Sequence, residues 1–285
     1  MKPAPFSYAR PESVESAIAL LAEHEGAKIL AGGQSLLPMM NLRVARPELI
    51  VDINRIAGLD YIEEREGLLS IGALVRHVDV KNSDVAARMC PAIRMAYQHV
   101  AHETIRNRGT FVGNIAHADP ASELPALMLV VDAEIVARST RGQRSIAAED
   151  FFITALTSDL EADEMLVEVR IPPQPSARRF GIEEFALRKG DLALSGVVVA
   201  LDGDGQECSR ARLALFGVSD RPIRSPEAEN ALVGSSCSPG AIAAAAELAV
   251  RSIEFEGGPG ISADYRAFLT RALICRALAN AWSSG

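Results

Sequence analysis

Apolar residues near the N-terminus recur first at helical and then at strand-like spacing. Helical spacing is carried by four side chains, those of Val14, Ala17, Ile18 and Leu21. Pro11 stands where a first-turn proline is tolerated and Gly26 where a C-terminal cap belongs, which predicts an amphipathic helix between them. Short apolar runs at 28–31 and 48–53 predict buried strands, the first ending in a glycine turn. The opening residues therefore predict a small unit of alternating strand and helix.

The middle of the chain continues this alternation and then loses it. Residues 68–74 (LLSIGAL) predict a strand, and residues 84–97 predict helix, with Pro91 beginning a new helix inside that stretch. Between residues 105 and 125 the periodicity disappears among Gly, Asn, Asp and Pro, which predicts a long loop. Such a loop is more often a binding loop than a linker.

The last third of the chain begins after a proline-rich boundary. Strand-like runs at 134–137 and 165–171 precede the sequence PPQPS at 172–176, which predicts a domain boundary. Beyond it, strand candidates come first and helix candidates afterwards: strands around 182–187, 196–201 and 211–218, then helices near 225–232, 239–253 and 262–282. Strands followed by helices predict an α+β layer domain.

Composition places the chain among globular proteins and excludes several partners. The chain has 285 residues, of which 48% are hydrophobic and 23% charged, with a formal net charge of −8. These values exclude the disordered and coiled-coil classes, and the length predicts two domains. Basic residues are interspersed with acidic ones, so we expect no nucleic-acid partner. No apolar stretch is long enough to predict a membrane span, and the N-terminus has no apolar secretion signal.

Cysteine usage limits the redox centres that the chain can hold. The four cysteines are scattered without a CxxC pair, at Cys90, Cys208, Cys237 and Cys275. The chain's own thiolates therefore predict neither a structural zinc site nor an iron–sulfur cluster. Any electron carrier held here is expected to be organic. Unpaired cysteines without a secretion signal also predict a reducing cytoplasm.

The first segment with candidate chemistry follows the strand at 28–31. It consists of Ile29, Leu30, Ala31, Gly32, Gly33, Gln34 and Ser35. Its two glycines allow positive φ and close approach of a ligand, while peptide N–H groups and the serine hydroxyl can donate to an anion such as a pyrophosphate. The alternative is an ordinary tight turn. The segment lacks the GxGxxG pattern, so it does not indicate a Rossmann dinucleotide site.

The second segment, residues 106–125, combines two glycines, hydroxyl and amide donors, and two acids. That combination suits a ligand with both phosphates and polyol hydroxyls, and a bland surface loop is the alternative. Ser122 also suits the N-cap of a helix over 123–130. His117 is a candidate neighbour of a cofactor, with a solvent-facing imidazole as the equal alternative.

Other candidate residues give weaker indications. His99 and His102 lie one helical turn apart, but no third ligand or HExxH pattern accompanies them, which favours packing or surface histidines over a metal site. No GxSxG is present and no cysteine has a neighbouring base, so we expect no catalytic nucleophile. Residues 185–193 run from a strand into Lys-Gly-Asp, which by itself is typical of a turn with a helix-capping aspartate.

Two of these segments together resemble the signature motifs of a flavoprotein family. AGGQSLLPMMNLR at 31–43 and RNRGTFVGNIAHADPASELP at 106–125 resemble the paired motifs of the FAD-binding medium subunit of bacterial molybdenum hydroxylases. That family includes the flavin subunit of carbon monoxide dehydrogenase and the flavin domain of xanthine dehydrogenase. LRKGDLA at 187–193 is similar to the family's (R/K)xGDxA stretch. The resemblance covers nearly the whole chain, and two long motifs are far more specific than one.

The resemblance implies an α+β architecture. Its first part is an FAD-binding fold of the vanillyl-alcohol-oxidase and peptidoglycan-reductase type, made of two α/β subdomains, and a C-terminal α+β domain follows. The implied bounds are 1–176 for the FAD-binding domain, with subdomains of about 1–55 and 56–176, and 177–285 for the C-terminal domain. FAD lies extended between the subdomains in such proteins.

The resemblance also implies where this chain contacts FAD. Residues 31–35 are expected to cradle the pyrophosphate, with Ile29, Leu30 and Leu36 as neighbouring contacts. The second half of the cradle is expected from Thr110, Phe111, Val112, Gly113 and Asn114. Glu123 occupies the position of an acid bonded to the polyol part of the cofactor.

The five remaining expected contacts lie before and after Glu123 in the chain. His117 and Asp119 belong to the second motif, and Leu166 and Leu192 occupy family positions that pack against the flavin. Lys189 lies near Leu192 in the third motif. The whole set is implied by the resemblance.

The chain departs from the family pattern at two positions. The family usually carries two adjacent glycines where this chain has Val112 and Gly113. Because valine tolerates positive φ poorly, we expect Thr110, Gly113 and Asn114 to supply contacts more than Val112. Leu192 stands where relatives place an aromatic ring, so aliphatic packing is expected in place of flavin stacking.

The function implied by the resemblance is electron transfer. A large partner with molybdopterin would hydroxylate the substrate, a small partner with 2Fe–2S clusters would relay electrons, and FAD on this chain would deliver them to an external acceptor. The expected assembly is a heterotrimer or its dimer, with no catalytic acid–base residue and no metal on this chain. Two alternatives stay open: a self-sufficient flavin oxidoreductase of the same superfamily, and a flavin-free scaffold subunit, which Val112 supports.

Overall fold

The structure, a computed structural model, describes residues 1–258 and 261–283. Its N-terminal unit is a small parallel sheet with strand order β1-β3-β2. The elements are β1 (Ser7–Ala9), α1 (Val14–Glu23), β2 (Lys28–Leu30), α2 (Leu36–Asn41) and β3 (Leu49–Asp52). The predicted unit of alternating strand and helix is therefore confirmed, and its first motif lies between β2 and α2.

The first helix starts later than Pro11 predicts. Ser13 is its N-cap, because the Ser13 hydroxyl accepts the Ser16 N–H at 3.1 Å while the Ser16 side chain accepts the Ser13 N–H. Pro11 therefore lies before the helix, and its predicted place in the first turn is wrong. The helix ends with His24 as its C-cap. Gly26, at φ +77°, lies two residues beyond His24, so its predicted place as the cap is wrong.

The middle of the chain forms an antiparallel sheet with strand order β4-β5-β10-β6-β7 and helices packed against it. Its strands are β4 (Ile62–Arg65), β5 (Leu68–Gly72), β6 (Glu134–Ser139), β7 (Gly142–Ala147) and β10 (Met165–Ile171), with a separate hairpin of β8 (Phe152–Thr154) and β9 (Thr157–Ser158). Its helices are α3 (His77–Asn82), α4 (Asp84–Met89), α5 (Pro91–Ala96), α6 (Glu103–Arg106), α7 (Phe111–His117), α8 (Glu123–Val130) and α9 (Ala148–Phe151). Pro91 begins a helix as predicted.

The prediction of a long loop over residues 105–125 is wrong. This stretch contains the end of α6, the whole of α7 and the beginning of α8. The Thr110 side chain caps α7 by accepting the Gly113 N–H at 3.1 Å. Phe111, Val112 and Ile115 then bury one face of the helix. A helix of two turns among polar neighbours is too short to show a clear hydrophobic period, so the sequence pattern did not indicate α7.

The C-terminal third confirms the predicted order of strands and helices. Its antiparallel sheet, with strand order β11-β12-β13-β14, consists of β11 (Arg179–Phe185), β12 (Ser195–Gly203), β13 (Cys208–Phe216) and β14 (Ile223–Arg224). The helices are α10 (Pro226–Leu232), α11 (Pro239–Arg251) and α12 (Ala263–Ser283). Near the end of α12, the Arg179 guanidinium lies 5.1 Å from the Trp282 ring centroid and donates to the Trp282 carbonyl at 2.8 Å. No helix in the described residues is long and apolar enough to cross a membrane.

The C-terminal sheet is buried on both faces. Alternate residues of its central strands pack in a cluster with α10, α11 and α12, namely Val197, Val199, Leu201, Leu213 and Leu215. The residues between them, namely Val198, Ala200, Ala214 and Phe216, join the cluster that forms the core of residues 14–171. This alternation is the strand period of two. The sheet therefore forms the layer between the C-terminal helices and the rest of the molecule.

Candidate cofactor site

The first motif forms a tight turn whose peptide N–H groups are free. Gly33 adopts φ +71°, and its carbonyl accepts the Leu37 N–H at 3.2 Å at the start of α2. Within the described parts of the chain, the N–H groups of residues 32–36 donate to no other group. Residues 31–36 are half-buried. A run of unpaired N–H groups in a half-buried turn is suited to an anion.

The two motifs are in direct backbone contact. A Cβ atom on Gly32 would lie 2.6 Å from the Arg108 carbonyl oxygen, 2.6 Å from the Gly109 Cα and 2.9 Å from the Thr110 nitrogen. These distances exclude any side chain at position 32 while the contact persists. Segments more than seventy residues apart in the chain are thereby joined into one surface.

The second motif is anchored by a short antiparallel pairing with residues 75–77. The His77 N–H donates to the Gly109 carbonyl and the Phe111 N–H to the Val75 carbonyl, both at 3.0 Å. Beneath this pairing, the His77 Nδ1 lies 2.9 Å from the Tyr97 hydroxyl. Burial lowers the pKa of His77 to about 4, so its imidazole is neutral. The start of α7 is therefore held at a fixed position beside Gly32.

The position of Val112 explains how the chain dispenses with the usual motif glycine. Val112 is buried within α7 and is not among the residues with positive φ. Its N–H belongs to the first turn of the helix and donates to no other described group. The side chains of Phe111 and Val112 lie in the core, and the Phe111 N–H is bonded to Val75, so of these two residues Val112 alone has a free peptide N–H for a ligand.

A side-chain hydrogen bond joins α7 to Ser122, the residue before Glu123. The Ser122 hydroxyl donates to the Asn114 side-chain oxygen at 2.9 Å, so Ser122 caps α8 by position but makes no side-chain capping bond. Asp119 Oδ1 accepts the Ala121 N–H at 2.9 Å and fixes the intervening turn. Glu123 is buried in the first turn of α8.

Glu123 belongs to a buried acidic group at the edge of the C-terminal sheet. Burial raises the pKa of Glu123 to about 7, with the charge of Glu184 adding to this effect and that of His99 opposing it. The His99 Nδ1 lies 3.3 Å from a Glu184 carboxylate oxygen, and this hydrogen bond raises the pKa of His99. His99 is thus an ion-pair partner. Burial also lowers the pKa of the half-buried His117.

The third motif packs against the residues that precede α6. Gly190 adopts φ +82°, and a Cβ there would lie 2.7 Å from the His102 Cε1. Next to this contact Lys189 is exposed, and Leu192 keeps 62% of its surface exposed. Leu166 differs: it is buried in β10, the strand against which α7 packs. In the described residues no group of three or more His, Cys, Asp or Glu could hold a metal ion.

Two residues that join the motifs were missed in the sequence. The Asn54 side chain donates to the Ala31 carbonyl at 2.8 Å, and the Arg76 guanidinium donates both to Asn54 and to the Arg108 carbonyl. The only available signal was Asn54's place two residues after a buried strand that ends in an aspartate. Arg76 had none, because its partners are distant in the chain.

Comparison with known proteins identifies the family of both parts of the chain. Residues 4–174 match the family described as the FAD binding domain in molybdopterin dehydrogenase. Residues 182–281 match the CO dehydrogenase flavoprotein C-terminal domain.

Individual relatives are similar over their full length. The chain is 42% identical to the 6-hydroxypseudooxynicotine dehydrogenase complex subunit alpha of Paenarthrobacter nicotinovorans, covering 99% of this chain and 96% of that protein. It is 38% identical to the nicotine 6-hydroxylase medium subunit of the same organism, covering 99% of each. A structure of carbon monoxide dehydrogenase from Hydrogenophaga pseudoflava superposes with a TM-score of 0.96 at 37% identity, over 99% of each chain. The chain therefore belongs to the family of FAD-binding medium subunits of molybdenum hydroxylases, and FAD is its cofactor.

Proposed function

We propose that this chain receives electrons from 2Fe–2S clusters on a partner subunit and delivers them from FAD to an external acceptor. The observation that carries the proposal is the backbone contact between Gly32 and residues 108–110, which brings the free N–H groups of residues 32–36 close to the start of α7, where the Val112 N–H is also free. Such a cradle fits the diphosphate of a dinucleotide. When bound, FAD supplies exchange of one or two electrons, which links one-electron clusters to two-electron acceptors.

The chain's own residues bind and orient the cofactor. We assign the pyrophosphate to the N–H groups of residues 32–36 and of Val112, with the Ser35 hydroxyl as a further donor. Glu123, buried at the start of α8, accepts hydrogen bonds from polyol hydroxyls. Leu192, exposed in the third motif, supplies apolar surface, and Leu166 supports the site from β10.

The remaining redox centres are assigned to other chains. Three of the four cysteines are buried and the fourth is half-buried, and burial raises the pKa of Cys90 and of Cys208 to about 12, so these thiols are poor ligands. We therefore propose a molybdopterin-binding large partner and a 2Fe–2S small partner, in a heterotrimer or its dimer. The free cysteines support a cytoplasmic location. We place the domain bounds at 1–176 and 177–285, with subdomains of about 1–55 and 56–176, which the family matches to 4–174 and 182–281 support.

Purification of the tagged full chain from its own cells tests the proposal. We expect extracted flavin to be FAD, and molybdenum and iron to co-purify in two further chains. Addition of substrate should then bleach the flavin absorbance after the iron–sulfur absorbance has changed. A chain without FAD would refute electron transfer through this site. Substrate oxidation by the chain alone would establish the self-sufficient flavin enzyme instead.

A further inference from the structure

A chain of polar side chains links the N-terminal sheet to the first motif. The Tyr8 hydroxyl on β1 donates to one oxygen of Asp52 at 2.5 Å, at the end of β3. The other Asp52 oxygen accepts the Asn54 backbone N–H at 2.9 Å and the Asn54 side-chain amide at 2.7 Å. The carboxylate therefore fixes Asn54 in one orientation.

Asn54 in turn holds the backbone of the first motif. Its side-chain nitrogen donates to the Ala31 carbonyl at 2.8 Å and to the Leu30 carbonyl at 3.3 Å. Its side-chain oxygen accepts an N–H of Arg76 at 2.7 Å. The amide nitrogen thus faces only oxygen acceptors and the amide oxygen faces a donor, so the two ends of the side chain are not interchangeable.

Arg76 connects this group to the second motif. Its other terminal nitrogen donates to the Arg108 carbonyl. The same carbonyl oxygen would lie 2.6 Å from a Cβ atom added to Gly32, so it marks the point where the two motifs touch. One planar guanidinium therefore spans the gap between the two motifs, with one nitrogen on each side.

The charge of Arg76 is not neutralised by a direct partner. Arg76 is half-buried and takes part in none of the ion pairs formed by the described residues. Its hydrogen-bond acceptors are an amide oxygen and a peptide carbonyl, both uncharged. A side chain that gains no ion pair but joins two ligand-binding segments is explained best by its geometric role.

We propose that Arg76 and Asn54 are positioning residues that set the separation between the two halves of the pyrophosphate cradle. The inference rests on the proposed function, because it assumes that the cradle holds the diphosphate of FAD. The forked guanidinium reaches both acceptors at once, whereas a lysine ammonium on a flexible stem keeps the charge without the fixed span. Geometry and charge can therefore be separated by substitution.

The test is a titration of the flavin-free full chain with FAD, followed by quenching of flavin emission, at a temperature where every variant is folded. Arg76→Met and Arg76→Lys should both raise the FAD dissociation constant about tenfold, as expected for loss of charge-assisted hydrogen bonds. Asn54→Ala should do the same. The double variant Arg76→Met/Asn54→Ala should bind FAD no more weakly than the weaker-binding of its two single variants, because both residues act through one connection.

Arg94→Met is the matched control. Arg94, on α5, is 56% exposed in its side chain, and within the described residues that side chain bonds only to the fully exposed Asp84 of α4, at 3.4 Å. We expect its FAD dissociation constant to equal that of the wild type. If Arg76→Met does not fold, Asn54→Ala removes the same connection and retains the guanidinium.

Three outcomes would overturn the inference. The first is a dissociation constant in Arg76→Met or Asn54→Ala within twofold of the wild type. The second is full recovery in Arg76→Lys, which would assign the effect to charge. The third is additive losses in the double variant. If the wild type and Arg94→Met themselves bind no FAD, the proposed function fails, and the inference fails with it.

Discussion

At the scale of single residues, the two glycines of the first motif serve different physical needs. Gly32 has no positive φ, but a side chain there would collide with the backbone of residues 108–110. Gly33 has φ +71°, and the nearest atoms to an added Cβ are the ends of flexible leucine side chains, at 3.0 Å. Close approach of backbone explains the first glycine, and backbone conformation explains the second.

Substitution of Gly33 should therefore remove flavin binding through the backbone. Valine is β-branched and disfavours positive φ, so keeping the native backbone in Gly33→Val would cost about 1–2 kcal/mol. We therefore expect the turn to change its conformation, so that its N–H groups point elsewhere. We expect the purified variant to retain no FAD, measured by flavin extraction and absorbance.

Gly67→Val is the matched control for this substitution. Gly67 has φ +78° in the turn between β4 and β5, and nothing lies within 4 Å of an added Cβ. It should lose stability by a similar amount, about 1–2 kcal/mol by urea unfolding, and keep its FAD. Equal FAD content in Gly33→Val and Gly67→Val would show that the pyrophosphate does not bind at the turn of the first motif.

Glu123 should make the stability of the flavin-free chain depend on pH. Burial raises its pKa from 4.5 to about 7 in the folded chain, so the folded chain holds a proton that the unfolded chain releases. Between these two values stability falls as pH rises, and above about 7 the loss is complete. Glu123→Gln removes this titration. The melting temperature of the variant minus that of the wild type should therefore increase as pH rises from about 5 to about 8.

His99 must stay intact in that comparison. Its pKa is raised by the Glu184 hydrogen bond, so its stabilising contribution is present at low pH and is also lost as pH rises. The Glu184 hydrogen bond, the largest cause of this shift, is present in both wild type and Glu123→Gln, so the difference between their curves reports Glu123 together with its charge interaction with His99. Parallel curves across the whole pH range would contradict the assignment.

At the scale of elements, α7 shows why the second motif is a helix start and not a loop. Its N-cap Thr110 is anchored by the pairing of residues 109–111 with 75–77, and its buried face fixes the helix against β10. Val112 lies inside this helix at a position that the family usually fills with glycine. A helical φ makes valine acceptable there.

Val112→Gly should therefore weaken the fold without improving cofactor binding. Glycine costs about 1 kcal/mol relative to alanine in a helix, and loss of the buried valine side chain adds about 1.5–3 kcal/mol. We expect a lower midpoint in urea unfolding of the flavin-free chain and an unchanged FAD dissociation constant. A tighter FAD complex in the variant would show that the motif glycine has a role that this helix lacks.

The elements differ in how visible they are in the sequence. Long periodic segments such as α11 and α12, and apolar runs such as β3 and β10, were predicted near their observed positions because burial sets their pattern. Short elements such as β8, β9 and α6 were missed, since two to four residues carry no period. Both cofactor motifs were found from residue type and resemblance. The contact between the motifs through Gly32, Arg76 and Asn54 could not be predicted, because it depends on how distant parts of the chain pack in the folded structure.

At the scale of the whole molecule, the C-terminal sheet joins two parts of the sequence into one core. One face of β12 and β13 belongs to the same cluster as the FAD-binding part. Polar links cross the same boundary: the Gly217 N–H donates to the Pro120 carbonyl at 2.7 Å, and the Arg210 guanidinium donates to an Asp132 carboxylate oxygen at 2.6 Å. The two predicted domains therefore do not have independent cores.

Separate expression of residues 1–176 and 177–285 tests this arrangement. Each fragment should expose an apolar face that is buried in the full chain, so each should aggregate in size-exclusion chromatography. Co-expression should yield a soluble pair, because the two faces cover each other. Two separately soluble, monomeric fragments would contradict a shared core.

The contact of Arg179 with Trp282 gives the protein an internal optical reporter. Trp282 is the chain's single tryptophan, and it lies where α12 meets β11. Emission excited at the red edge of the protein's ultraviolet absorption, where the four tyrosines do not absorb, therefore arises from one known place in the C-terminal layer. Visible flavin fluorescence arises from the cofactor. The two colours allow detachment of the last helix and release of FAD to be timed separately in one cuvette, without any added label.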